Sequence, residues 1–229
     1  MSGITLSFAG TLIAVTGSNF TWTIRTLPSS SAWGPVGWNG TVFCVLGGYG
    51  YATASAATSP DGTTWTARTL PVALTWTSIA WNGTVFCATA GLSSSSTAIT
   101  SPDGITWTAR TMPSTTYWSG LAWNGTVFCA VAGSFNTTNI AATSPDGITW
   151  TAHTLPSTDH WSSLAWNGYV FLTFATYGAT TSAATSPDGI TWTARTMPVS
   201  AIWNSAVSNG TLTVAIATNT SSAATSPLH

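Results

Sequence analysis

Ser101-Pro102-Asp103-Gly104-Ile105-Thr106-Trp107 is followed by Thr108-Ala109-Arg110-Thr111-Met112-Pro113, and near copies begin at Ser59, Ser144 and Ser186. The tryptophans of this element stand at Trp22, Trp65, Trp107, Trp150 and Trp192, with spacings of 43, 42, 43 and 42. A second element, Trp-Asn-Gly-Thr-Val-Phe, keeps the same period. Its glycine falls at Gly40, Gly83, Gly125, Gly168 and, as Ser-Asn-Gly, at Gly210. The 229 residues are therefore one supersecondary unit repeated about five times. Self-similarity at a period of about 20–50 residues marks a solenoid or a propeller.

The third copy shows what the unit is. Residues 118–123 read as a first strand and 126–131 as a second, joined by Asn124-Gly125. Asn-Gly between apolar runs is a strong hairpin signal because both turn positions need φ > 0. A loop of Gly, Ser and Asn over 132–139 leads to a third strand at 140–143. Ser144-Pro145-Asp146-Gly147 then turns the chain into a fourth strand at 148–154, expected to end at Pro156. No stretch carries a helical period. Four antiparallel strands per unit, each too small to bury both faces alone, predict propeller blades packed face to face.

The blades are expected at about 31–70, 74–113, 117–156 and 160–198, with 201–227 supplying three strands of a fifth. The Trp22 strand, residues 20–27, is the expected fourth strand of that last blade. This makes the chain a single all-β, five-bladed propeller domain over 1–229, closed by strands from its two termini. Residues 3–16 read as two short strands around Ala9-Gly10; they extend the fifth blade or start a sixth, which is the alternative.

Composition narrows the function. Charged residues are 4% of the chain, net charge is −1, and Lys, Glu and Gln are absent, whereas Trp numbers 14. No basic patch exists for nucleic acid or anionic lipid. No run approaches the ~18 apolar residues of a membrane span, and Met1-Ser2-Gly3-Ile4 does not open as a signal peptide. Cys44, Cys87 and Cys129 share one repeat position that later holds Leu172 and Val214, so they are expected to be buried free thiols. No metal site and no cofactor are expected.

The Ser-Pro-Asp-Gly-Ile-Thr-Trp stretches resemble the Asp-box, or BNR repeat, of sialidase-like propellers. On that resemblance Asp61, Trp65, Asp103, Trp107, Asp146, Trp150, Asp188 and Trp192 are structural residues of the turn between third and fourth strands. The fuller phrase, Ala-Ala-Thr-Ser-Pro-Asp-Gly-Ile-Thr-Trp with Trp-Asn-Gly-Thr-Val-Phe, also resembles repeats of bacteriophage tail and virion proteins. That implies a particle-borne protein with other virion proteins and a second copy as candidate partners.

Sialidases of this fold use three arginines, a Tyr–Glu pair and an Asp. Here Glu is absent, and Arg25, Arg68, Arg110 and Arg195 occupy one repeat position with His153 as the fifth. Only Asp159 lies outside the repeat turns, so no carboxylate pair is available for glycoside hydrolysis. Asp159-His160 reads as a solvated loop dipeptide, with no nucleophile motif near it. The expectation is no catalytic residues and no enzyme.

Recognition is expected on one face. The Asn-Gly and Ser-Pro-Asp-Gly turns are nearly identical in every copy and share a face. The loops on the opposite face vary and carry Tyr49, Tyr51, Tyr117, Phe135, His160 and Tyr177. Loops on a rigid scaffold carry recognition. Trp33, Trp76, Trp118, Trp161 and Trp203 begin the first strand of each copy at the edge of that face; they are either a ring of sugar-stacking sites or inter-blade core. With Tyr49, Tyr117, His160 and Tyr177 they are the candidate ligand residues. The expected function is a non-catalytic adhesion propeller on a virion, binding carbohydrate or a host surface. A purely structural decoration or tail protein is the alternative, and a glycosidase the weaker one.

Overall fold

The computed structural model describes residues 7–8, 11–12, 22–133, 135–178, 180–218 and 220–227. Their regular structure is all strand. The first sheet orders its strands as Trp33–Trp38, Phe43–Gly47, Thr53–Ser59 and Thr66–Leu74. The second repeats this with Trp76–Trp81, Phe86–Ala90, Ser95–Ser101 and Thr108–Thr116. The third has Trp118–Trp123, Phe128–Ala132, Thr138–Ser144 and Thr151–Asp159. The fourth begins with Trp161–Trp166, Phe171–Ala175 and Thr180–Ser186. Its outer strand and the inner strand of a fifth sheet are one 16-residue strand, Thr193–Ser208. That strand pairs first with Thr180–Ser186 and then with Leu212–Thr218, which in turn pairs with Ala223–Pro227.

Each turn is built from its own side chains. In the second sheet the Asn82 Oδ1 accepts the N–H groups of Thr84 and Val85 at 2.8 and 2.7 Å, an Asx turn that puts Gly83 at φ 95°. In the Ser101 turn, Asp103 Oδ1 accepts N–H from Ile105 (2.8 Å) and Thr106 (2.9 Å) and the Ser101 hydroxyl proton (3.0 Å). Gly104 N–H donates to Ser101 Oγ at 2.8 Å, and Trp107 Nε1–H to Gly104 O at 3.0 Å. The turns at Ser59, Ser144 and Ser186 repeat the pattern. These aspartates and indoles are occupied by the turn itself.

Sheets pack through small residues. Gly104 seats against Cys44 and Thr58 of the preceding sheet, Gly147 against Cys87 and Thr100, and Gly189 against Cys129 and Thr143. Burial raises the Cys44 thiol to about 12, the Arg68 charge opposing it, and pushes Cys87 and Cys129 higher still. All three are free and buried. Innermost strands of adjacent sheets are also tied directly, the Ser78 hydroxyl donating to Ser119 O (2.8 Å) and the Ser119 hydroxyl to Trp161 O (3.0 Å).

The structure departs from the sequence reading at two places. The outer strands do not stop at proline: Thr66–Leu74 runs through Pro71, Thr108–Thr116 through Pro113 and Thr151–Asp159 through Pro156. An edge strand needs no second row of hydrogen bonds, and the register shifts between Thr111 and Thr116, so the missing N–H falls in a bulge. Second, the strand expected over 20–27 is not a strand where it is described, over residues 22–27, residues 20 and 21 lying outside the described residues. Among the described residues Ala223–Pro227 pairs with Leu212–Thr218, and four complete sheets and three strands of a fifth are present. Near its start, Ser7–Phe8 pairs antiparallel with Thr11–Leu12 as the sequence suggested.

Candidate functional site

The loop face is positioned by a single backbone device. One residue, Thr75, Tyr117 or His160, separates each of the first three outer strands from the next innermost strand, and at Ala32, Tyr117 and His160 the carbonyl of the residue before the innermost strand holds the loop that follows the second strand. Gly48 N–H donates to Ala32 O (2.8 Å), Gly133 N–H to Tyr117 O (3.1 Å) and Thr176 N–H to His160 O (3.0 Å). The side chain of the linking residue is thereby placed beside that of the loop, and what forms there depends on which residues the copy carries. In the first sheet, Tyr51 Oη accepts the Ala32 N–H at 3.0 Å while Tyr49 stays exposed. In the second, the Thr75 and Ser93 hydroxyls bond to each other.

In the third and fourth sheets the same device makes aromatic pairs. Tyr117 and Phe135 stand 5.5 Å apart at 51°, and His160 and Tyr177 stand 4.5 Å apart at 36°. Both distances lie in the range for attractive tilted rings. Phe135 is 61% and Tyr177 71% exposed, while Tyr117 and His160 are half-buried behind them. The two pairs are joined. His160 Nδ1–H donates to Gly133 O at 3.2 Å, which fixes the ring and leaves Nε2 as the acceptor of the neutral imidazole. Asp159 Oδ1 accepts the His160 N–H at 2.8 Å and clamps the corner. Gly133, at φ 144°, must be glycine, since a Cβ there would come within 2.6 Å of Trp161 N. The result is a ridge of four rings across two sheets, edged by a carboxylate, an imidazole acceptor and Asn136, whose amide donates to Thr116 Oγ1 at 3.5 Å.

The tryptophan ring is a different matter. Trp76, Trp118, Trp161 and Trp203 are fully buried between sheets, and Trp33 is half-buried at the open end of the row. The indole Nε1–H groups of Trp33, Trp118, Trp161 and Trp203 donate to Ser29 O, Ser114 O, Ser157 O and Val199 O, four residues upstream. With no exposed face, the four buried indoles offer nothing for a sugar to stack on. Of the two readings of this ring, the inter-sheet core is the one the structure holds. Arg68, Arg110 and Arg195 bond Thr58, Thr100 and Thr185 across the sheet at 2.9 Å, and His153 bonds Thr143 at 2.8 Å. They do not converge. Among the described residues no group of three His, Cys, Asp or Glu could hold a metal, and no helix is long and apolar enough to cross a membrane.

Two hollows lie elsewhere. A depression of about 230 Å³ is lined by the innermost strands, with Ser78, Ser119 and Ser163 among its walls. A cavity of about 600 Å³ opens between the fourth and fifth sheets, away from the ridge.

No family model matches the chain, and no curated protein matches it. Solved structures do. A virginiamycin B lyase from Staphylococcus aureus superposes at TM-score 0.68 over 88% of this chain and 71% of its own, with 8% identity. The computationally designed Ika8 protein gives 0.60 over 84% and 58%, at 11% identity. The chain is a β-propeller. A Niastella koreensis GH74 enzyme also superposes, at 0.52 over 82% of this chain and 28% of its own, with 19% identity. These propellers correct one expectation drawn from the sequence. The sequence predicts no enzyme because it lacks the residues of sialidases, yet proteins sharing its architecture include a lyase and a glycoside hydrolase. Lacking one family's catalytic set does not remove a propeller from catalysis.

Proposed function

We propose that the loop face of this propeller binds carbohydrate, and that the ridge of Tyr117, Phe135, His160 and Tyr177 is the centre of the site. One observation carries this reading: two adjacent sheets each hold a ring pair with one exposed member, Phe135 or Tyr177, and a His160–Gly133 hydrogen bond ties the second pair to the start of the loop that carries Phe135. Rigid aromatic faces give large contact area at low entropic cost. The rim supplies acceptors and amide donors with almost no charge, which suits a neutral polyhydroxylated ligand. The first sheet adds exposed Tyr49 about the same device, and several weak subsites on one ligand bind by avidity. The likeness of the repeat phrase to phage tail and virion proteins makes attachment of a particle to a glycan-bearing surface the setting we favour.

A glycan array followed by calorimetry with the best oligosaccharide tests this. Losing a central aromatic anchor costs about 2 kcal/mol or more in an interface, about 30-fold in Kd. Phe135→Ala and Tyr177→Ala should each weaken binding by that order while leaving the melting curve unchanged. A blank array at millimolar sugar, or unchanged affinity in both variants, overturns the proposal. Turnover of a bound oligosaccharide would place chemistry at the same ridge, and Asp159→Asn is the variant to compare.

A further inference from the structure

The Asn-Gly turn occurs five times, and its internal bonds are the same in every copy. The Asn N–H donates to the carbonyl three residues on, at 3.2 Å in each. The Asn Oδ1 accepts the N–H groups two and three residues on, from Thr41 and Val42 in the first copy to Thr211 and Leu212 in the last. The glycine that follows is left-handed throughout, with φ between 89° and 100°.

What closes the turn differs. In the first four copies the residue before Asn is a tryptophan paired across the strands with a phenylalanine, as Trp81 with Phe86 and Trp166 with Phe171. The ring centroids of these four pairs stand 4.3–4.9 Å apart. In the fifth copy the same register sets Ser208 opposite Thr213, and the turn has no aromatic clamp. Asn39, Asn82, Asn124 and Asn167 are half-buried, whereas Asn209 is exposed. Asn167 is held further, its Nδ2–H donating to Thr213 Oγ1 at 3.1 Å. At the fifth turn the Gly210 N–H donates to Ser208 Oγ at 3.2 Å, where a tryptophan side chain offers no acceptor.

We propose that Asn209-Gly210 is a site of self-modification, converting to aspartate and isoaspartate ahead of its four counterparts with water as the only co-reactant. The Gly210 nitrogen attacks Asn209 Cγ. The N–Cγ bond forms as the N–H proton passes to solvent base, the Cγ–Nδ2 bond breaks, and Nδ2 takes up a proton and leaves as ammonia. Water then opens the five-membered imide. Attack at Cγ gives aspartate, and attack at the main-chain carbonyl gives isoaspartate. Glycine permits the step because it has no Cβ to shield the nitrogen. For Cγ to reach that nitrogen, Asn209 Oδ1 must release Thr211 and Leu212, so the rate follows the open population of the turn. Lacking one tilted aromatic pair makes opening easier by about two- to tenfold. Either product adds a negative charge to a chain whose net charge is −1. Isoaspartate also lengthens the main chain by one CH2 in the hairpin that sets the register of Thr193–Ser208 against Leu212–Thr218.

The test is to age the full chain in mildly alkaline buffer, folded and in guanidinium, and to read each Asn-Gly site by peptic digestion and mass spectrometry. In the folded chain the Asn209 peptide should take on the mass of an acid in place of an amide, and split into two forms, about two- to tenfold faster than the other four. Isoelectric focusing should show a more acidic band growing at the same rate. In guanidinium the turns are gone, and the five sites should convert at similar rates. Ser208→Trp/Thr213→Phe, which builds the missing clamp, should bring the folded rate at Asn209 down to that of the other turns. Asn209 converting no faster than the others in the folded chain overturns the proposal. So does an equal excess in guanidinium, which assigns the cause to local sequence, or an undiminished rate in the folded double variant. The comparison of folded with unfolded wild type stands even where the variant does not fold. No ridge residue takes part, so this proposal and carbohydrate binding fail separately.

Discussion

Replacing Gly189 by alanine tests how the sheets are keyed together. Two glycines of the fourth sheet share a left-handed backbone but differ in surroundings. Gly168, at φ 100°, has nothing within 4 Å of a built Cβ. Gly189, at φ 76°, would place its Cβ 2.7 Å from Thr143 Cγ2 and 3.1 Å from Cys129 Sγ in the preceding sheet. Gly168→Ala should therefore cost only the left-handed penalty, about 1–2 kcal/mol. Gly189→Ala adds overpacking of about 1–3 kcal/mol, for a total of about 2–5 kcal/mol. Against a typical stability of about 5–15 kcal/mol that is large. In urea, at roughly 3 kcal/mol per M, the extra cost moves the midpoint by about 0.3–1 M beyond that of Gly168→Ala. The partner variant is Thr143→Ser, which deletes the clashing methyl and keeps the hydroxyl that bonds His153. In the double variant the cost of Gly189→Ala should fall towards that of Gly168→Ala, with a coupling of about 0.5–3 kcal/mol. Equal costs for the two glycines, or no coupling to Thr143, would refute the claim that this turn plugs the neighbouring sheet.

Three further outcomes follow from the same geometry. Burial raises the carboxyls of Asp103, Asp146 and Asp188, but backbone N–H groups and the turn serine outweigh it and hold them below 3.8; at exposed Asp61 the Thr63 N–H leads the same lowering. A depressed folded value gives stability that is present above the unfolded pKa and lost as pH falls through the folded one. His153, lowered by desolvation against the pull of Asp188, acts in the same direction. The urea midpoint should start to ease down below about 6.5, where the unfolded chain protonates His153 before the folded one does, and fall further below about 4 as the aspartates protonate; Asp188→Asn should flatten the lower fall, and an unchanged slope there contradicts it. The thiols of Cys44, Cys87 and Cys129 should resist alkylation at pH 8 in the native protein and react on unfolding, and quick native labelling would contradict their burial. Phe135→Leu should keep the fold yet lose the ring contact with Tyr117, so retained sugar affinity in that variant would argue against the aromatic ridge.

Most of the architecture was legible because the repeat writes each local decision several times. Asn124-Gly125 and Ser144-Pro145-Asp146-Gly147 announce their turns through residues whose side chains make the turn bonds. Less legible was whatever depends on neighbours in space. Pro113 looks like a strand end, yet at a sheet edge its missing N–H falls in a bulge and the strand continues. From the sequence Trp118 reads either as a sugar-stacking site or as inter-blade core, and its place in space at the start of an innermost strand, turned into the gap between sheets, is what decides for core. The repeat phrase around Trp22 predicts a fourth strand for the last blade, yet residues 22–27 are outside any strand. At the loop face, Tyr49, Tyr117, His160 and Tyr177 stood out as aromatics in variable loops. What the sequence concealed was the pairing of Tyr117 with Phe135 and of His160 with Tyr177. The signal that would have found it is the recurrence, in the first four copies, of one linking residue and one loop residue about 17–19 positions apart, as in Thr75–Ser93 and Ala32–Tyr51.

The most direct test of the proposed function is saturation-transfer NMR with the best oligosaccharide, on the wild-type protein and on Phe135→Ala/Tyr177→Ala. The account predicts transfer from protein to sugar-ring protons in the wild type, and its loss in the double variant at an unchanged melting temperature. Transfer that persists in the double variant, or none in the wild type, would contradict it.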